Sequence, residues 1–166
     1  MAAIRARAQS GRRLIIISAS KSNAEVAFAL TKFGPAETGH VAAWINAVGA
    51  LQGTPLIDDD VLPELEFIVG KIDAAGLESM SAARSRQRFE SFRVPENILV
   101  VNFFGIPLSG SVSFRAARGF YPMKKYGPND GMVLLSDMIL PGGITLTKFG
   151  VTTFLWTSTS MSRAWR

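Results

Sequence analysis

LIIISASKSNAEVAFAL, residues 14–30, is the stretch that most limits how this chain can fold. Leu14–Ile17 are four branched apolar residues with no polar alternation, the pattern of a strand buried on both faces. Small residues then surround Ser20, and from Ser22 to Lys32 the apolar spacing is that of a helix. A buried strand that passes through a serine into a helix within four residues needs a sharp turn at the sheet edge. That turn holds Ser20, with Ser18 and Ser22 at two-residue spacing on either side.

The same alternation continues along the chain. Residues His40–Leu51 read as a second buried strand, and GTPLIDDD (residues 53–60) as a loop, because Gly53, Pro55 and three Asp do not suit a sheet centre. Helical patterns cover Val61–Ala75 and Leu77–Phe92. ENILVVNFFGIP supplies a third strand that ends before Pro107, residues 108–126 mix helix and loop, and GPNDG is turn chemistry. GITLTKFGV gives a fourth strand, and Phe154–Trp165 a last helix. Continuous apolar strands between helices predict an α/β domain: a three-layer sandwich on a partial, mainly parallel sheet of about four strands, helices on both faces, with residues 1–166 forming one domain.

Composition narrows the partners. The 166 residues are 48% hydrophobic, enough for a core, and no run approaches the roughly 18 apolar residues of a membrane span. The net charge of +5 comes from small clusters: Arg5, Arg7, Arg12 and Arg13; Arg84, Arg86, Arg88 and Arg93; Lys124–Lys125. The clusters are modest and carry no RNA-binding signature, so they read as solvated faces and no nucleic-acid partner is expected. The Arg-rich opening MAAIRARAQSGRR runs straight into the strand and reads as a helix feeding it. No cysteine is present, which fits a reducing compartment, and the cytoplasm is the expected location.

Two readings of the Ser20 turn stand side by side: serines that cap a helix, and a strained turn that presents a nucleophile. Elsewhere, Asp58–Asp60 with Glu64 and Glu66 lack the spacing of a cation loop and read as a solvated acidic loop; no metal is expected. Gly105–Ser111 follows a strand but lacks the Lys-Ser/Thr of a phosphate loop, and no cofactor is expected. Trp44, Trp156, Trp165, Phe103, Phe104, Phe149 and Phe154 read as core or interface aromatics.

From about Ile4 to Trp156 the chain resembles the C-terminal half of the α/β-hydrolase superfamily of lipases and esterases. RRLIIISASKSNAEVAFAL is similar to its fifth strand, nucleophile turn and helix; VAAWINAVGALQGTPLID to its sixth strand and the following loop; and GPNDGMV to the segment that carries the catalytic acid. The resemblance implies Ser20 as nucleophile, Asp130 as acid, and the N–H of Lys21 as one oxyanion donor. It also exposes departures. Serines replace the usual flanking glycines, and Thr153 stands 23 residues after Asp130 where the family carries its histidine. Threonine cannot take a proton from serine near neutral pH. The lone histidine, His40, precedes the second strand, at the opposite sheet edge from Ser20. The first four strands of the family, with the loop that supplies the second oxyanion donor, have no counterpart in the quoted segments.

The implied function is that of a serine-hydrolase homologue acting by descent on small carboxylic esters, with little or no activity in this chain alone. The alternative is a non-catalytic binding or assembly module that reuses the fold. Without the preceding strands, Leu14–Ser18 becomes an edge, which is expected to self-associate or to recruit a partner chain.

Overall fold

Four strands form the sheet: β1 (Leu14–Ala19), β2 (Val41–Ala47), β3 (Leu99–Ile106) and β4 (Ile144–Phe149). They pair in sequence order, all parallel. The structure, a computed structural model, describes residues 4, 6, 11–59, 74–108 and 112–152. The connections carry α1 (Ser22–Thr38), α2 (Pro55–Asp58), α3 (Ala74–Glu78), α4 (Ala82–Phe89) and α5 (Phe114–Met123), and a 3₁₀ turn at Leu135–Met138 precedes β4. Parallel neighbours need long crossovers, and these are right-handed almost without exception. Four strands laid down in one direction therefore send every crossover helix to the same face.

Register shows which face that is. Ile16, Trp44 and Val100 align across β1–β3 and pack with Ala27 and Leu30 of α1 and with Phe92, Ile98 and Leu140. Further along, Phe104 of β3 packs with Leu56 of α2, Met123 of α5, and Met132, Val133 and Met138. The alternate residues form the opposite face, where Ile15, Ile17, Leu99, Ile144 and Leu146 are each at least half exposed. The α/β class and the parallel sheet of four strands flanked by helices stand, and among the described residues the crossover helices share one face. Leu14–Ile17 reads as doubly buried, yet β1 is an edge strand and its residues alternate between half-buried and exposed.

Other boundaries also move. The second strand stops at Ala47 rather than Leu51, because Val48 turns out at φ 43. The pattern over Leu77–Phe92 is split into α3 and α4, with Ser81 capping the second by accepting from the Arg84 N–H. The helix after Ser20 runs past Lys32 to Thr38 through a kink at Gly34-Pro35. Helix Val61–Ala75 lies almost wholly outside the described residues. Of the aromatics assigned to the core, Trp44 and Phe104 are buried, Phe103 is half-buried and Phe149 is 65% exposed; Phe154, Trp156 and Trp165 are not described. The acidic loop is not simply solvated: Asp58 Oδ2 accepts from the Ala82 and Ala83 N–H groups at the start of α4, and Asp59 pairs with Lys125. In the Gly-Thr-Pro-Leu segment, Thr54 caps α2, and Gly53 (φ 74) passes so close to the backbone before α4 that a Cβ would lie 2.4 Å from the Met80 carbonyl.

A row of polar side chains fixes the register. Asn46 and Asn102 face each other on β2 and β3. Asn46 Nδ2 donates to Asn102 Oδ1 (2.9 Å) and to the Met138 carbonyl (2.8 Å). Asn102 Nδ2 donates to the Leu140 carbonyl (3.0 Å), and its Oδ1 accepts from the Leu140 N–H (2.9 Å). A one-residue slip would turn these amides to the other face and leave buried donors unmet. Replacing Asn102 by Leu, which strands the Leu140 N–H and half of Asn46, is expected to cost about 2–5 kcal/mol in urea unfolding; a loss below about 1 kcal/mol would show that the row does not hold the register.

Candidate active site

The turn after β1 is built around Ser20. Its φ of 53 lies in the left-handed region, which a residue with a Cβ enters at a cost. The surrounding bonds hold it there. Ser20 N–H donates to the Ala47 carbonyl (3.1 Å), and the Ser20 carbonyl accepts from the N–H groups of Asn23 (3.1 Å) and Ala50 (3.2 Å) and from Asn23 Nδ2 (3.0 Å). Asn23, fully buried, also donates from Nδ2 to the Ala47 carbonyl (2.9 Å), while its Oδ1 accepts from the Ser18 hydroxyl (2.6 Å), which in turn accepts from Trp44 Nε1 (2.7 Å). Ser22 ties the outer side, donating to the Ala19 carbonyl and accepting from its N–H.

This accounts for the flanking serines: each uses its hydroxyl to stitch the turn. The capping reading fails, because Lys21 stands at the N-cap, with no side-chain cap bond. Among the described residues the Ser20 hydroxyl has no hydrogen-bond partner, and Lys21 presents an N–H without an acceptor at the start of α1. Beside Lys21 a cleft of about 340 Å³ runs along α1, where Ala24, Phe28, Leu51 and Phe92 meet the charged Glu25 and Arg88.

Asp130 sits in a second tight turn, after α5. Its Oδ1 accepts from the N–H groups of Met132 (2.9 Å) and Val133 (2.8 Å). Gly131, at φ 95, lies where a Cβ would come within 2.7 Å of the Ala116 carbonyl, so only glycine fits. The loop packs through Met132 and Val133 against Val48 and Phe104, at the C-terminal edge of β2 and β3, the edge at which β1 ends in Ser20. Asp130 is 1% exposed, its Oδ2 has no hydrogen-bond partner among the described residues, and desolvation raises its pKa from 3.8 to about 6 against the pull of its backbone donors. Thr152, beyond β4, is fully buried and its hydroxyl also has no partner among the described residues. Thr153 itself lies outside the described residues. His40 precedes β2 at the far edge, its Nε2 3.1 Å from the Ile4 carbonyl. No group of three potential metal ligands occurs among the described residues.

Comparison with solved structures identifies this architecture. A mature lipase of Bacillus licheniformis superposes with TM-score 0.76 at 21% identity, over 91% of this chain and 63% of the lipase. The fold is that of the α/β hydrolases. A metagenomic carboxyl esterase superposes with TM-score 0.64 at 24% identity, over 84% of this chain and 44% of the esterase. The chain thus spans less than two thirds of either protein's length. No family model matches the sequence, and no curated protein matches it. Set on the α/β-hydrolase frame, Ser20 and Asp130 share the C-terminal sheet edge, and His40 lies at the opposite one. Sequence reasoning missed Asn23 and Val48, and read Trp44 only as a core or interface aromatic. Asn23 stands three residues after the turn and Trp44 carries an indole N–H in a buried strand, so both needed partners; nothing in the sequence marked Val48 for a positive φ.

Two outcomes follow from this geometry. Ser20→Gly is expected to stabilise the chain by about 1 kcal/mol, since glycine adopts the left-handed conformation freely; destabilisation would mean that the serine is not strained. For Asp130, a folded pKa above the unfolded one means that the native state holds the extra proton between pH 4 and 6. This contribution is full below about pH 4 and is lost as pH rises through 6, on the order of 3 kcal/mol. Asp130→Asn removes it, so the variant's melting temperature should gain on the wild type from pH 4 to 7; the opposite trend would reveal a cation beside the carboxylate.

Proposed function

We propose that the chain is a serine-hydrolase homologue of the lipase and esterase kind whose ester chemistry is disabled. The strained turn at Ser20 carries this reading: its backbone is saturated with hydrogen bonds and its hydroxyl has no partner among the described residues. In the intact reaction Ser20 Oγ attacks the acyl carbon of a small ester, the Lys21 N–H receives the developing oxyanion, and the cleft along α1 takes the acyl group against Phe28, Leu51 and Phe92. Asp130 Oδ2, without a partner among the described residues, would accept the N–H of a histidine base, and the resemblance gives that base's position to Thr153. The second oxyanion donor has no candidate among the described residues. Loss of one such donor costs about 10²–10³ in turnover, and loss of the base costs more. The reading is therefore of a pseudoenzyme.

The β1 edge supports self-association or a partner chain. One side of Leu14–Ala19 has no neighbouring strand among the described residues, and Ile15 and Ile17 stand 63% and 65% exposed beside it. A cytoplasmic setting is supported by the absence of cysteine, and no helix among the described residues is long and apolar enough to cross a membrane.

Hydrolysis of nitrophenyl butyrate tests the reading. The natural chain should run at background, and Thr153→His should add turnover that Ser20→Ala removes. Robust natural turnover abolished by Ser20→Ala would overturn the inactive assignment. Light scattering tests the edge: average mass should rise with concentration, and a stable monomer at high concentration would exclude association through β1.

A further inference from the structure

The cleft along α1 joins an apolar lining to one uncompensated cation. Three charged side chains line it: Lys21, Glu25 and Arg88. Lys21 Nζ and Glu25 Oε1 meet at 2.6 Å one helical turn apart, so their charges cancel. Arg88, on α4, meets no carboxylate among the described residues. Its Nη2 donates to two neutral oxygens, the Ser79 carbonyl and the Ser85 hydroxyl (2.9 Å), and its Nε and Nη1 have no partner among the described residues. A positive charge with three N–H donors therefore stands at the wall of the cleft.

The rest of the lining is mostly apolar. Leu51 and Phe92 are buried, while Phe28, on α1, leaves 54% of its surface uncovered. Lys21, Ala24 and Phe28 stand three and four residues apart, so they share one helix face over about 10 Å. An extended chain of about eight carbons has that length, at ~1.5 Å per bond. The volume of about 340 Å³ also suits a small ligand. A neutral apolar molecule would leave Arg88 unused, and an inorganic anion would leave the apolar wall to water. An aliphatic chain with an anionic head uses both. With Lys21 held by Glu25, a single cation remains for that head, which matches the single charge of a carboxylate and not the double charge of a phosphate monoester.

We propose that this cleft binds an aliphatic carboxylate of about eight carbons, its chain against Phe28, Leu51 and Phe92 and its carboxylate on Arg88. The site is defined by binding and is independent of turnover. Ester hydrolysis by the natural chain would overturn the reading as a disabled hydrolase and leave this site in place; failure of the binding would leave that reading untouched.

Isothermal titration of the natural chain with octanoate and with octanamide, a neutral ligand of nearly the same shape, tests the assignment. Octanoate should bind about tenfold or more tightly than octanamide. Arg88→Gln should bring octanoate down to the level of octanamide, Arg88→Lys should keep part of the preference, and Phe28→Ser should weaken both ligands about fivefold. Should Arg88→Gln fail to fold because its tie to the Ser79 carbonyl is lost, Phe28→Ser, at a half-exposed position, must still weaken octanoate. Absence of octanoate binding overturns the proposal, as does equal affinity for the two ligands. Octanoate binding that survives both Arg88→Gln and Phe28→Ser also overturns it and assigns the chain's affinity to the exposed apolar face of the sheet.

Discussion

The hydrogen-bond relay from Trp44 through Ser18 to Asn23 and the Ser20 carbonyl is the interaction on which the rest of the site depends. Asn23 is fully buried, and its amide closes the gap between the end of β1 and the end of β2 by donating to both Ser20 and Ala47. A buried amide left half-satisfied is costly, so the relay holds as a unit or not at all. Its effect is to keep a serine in a backbone region that serine avoids. One register step along, Val48 at the end of β2 also has positive φ, and its N–H donates to the Phe103 carbonyl. Adjacent strands thus end at the same level in strained residues, both tied to the neighbouring strand.

The asparagine row extends this logic across the sheet. Ser18, Asn46, Asn102 and Thr145 stand in register on four strands, and the amides reach the backbone of Met138 and Leu140. Polar side chains in an apolar layer give up hydrophobic burial, but they specify one alignment of the strand ends. That alignment sets Ser20 and the Asp130 loop at the same edge. At that edge stand an acid whose Oδ2 has no hydrogen-bond partner among the described residues and a serine whose hydroxyl has none there either.

The strand order and the Ser20 turn were legible because both rest on local patterns, branched apolar runs and a strand-to-helix passage through small residues. The burial of Leu14–Ile17 was not. An all-apolar strand predicts two covered faces, but coverage depends on chain that the local pattern does not contain, and β1 lies at an edge with Ile15 and Ile17 exposed. Asp130 was placed by its Asn-Asp-Gly turn, yet its raised pKa comes from its complete burial, which outweighs the backbone N–H groups of Val133 and Met132 that pull it down. The Asp58 cap on α4 was hidden because its partners, Ala82 and Ala83, are distant in sequence.

The central proposal is that the Ser20 turn is that of a serine nucleophile kept without the base that would activate it. Labelling with a fluorophosphonate, read by intact mass, tests this most directly, because such reagents phosphonylate only an activated serine. The account predicts no adduct on the natural chain beyond the level of Ser20→Ala. A stoichiometric adduct mapped to Ser20 would contradict it and require a base supplied from elsewhere.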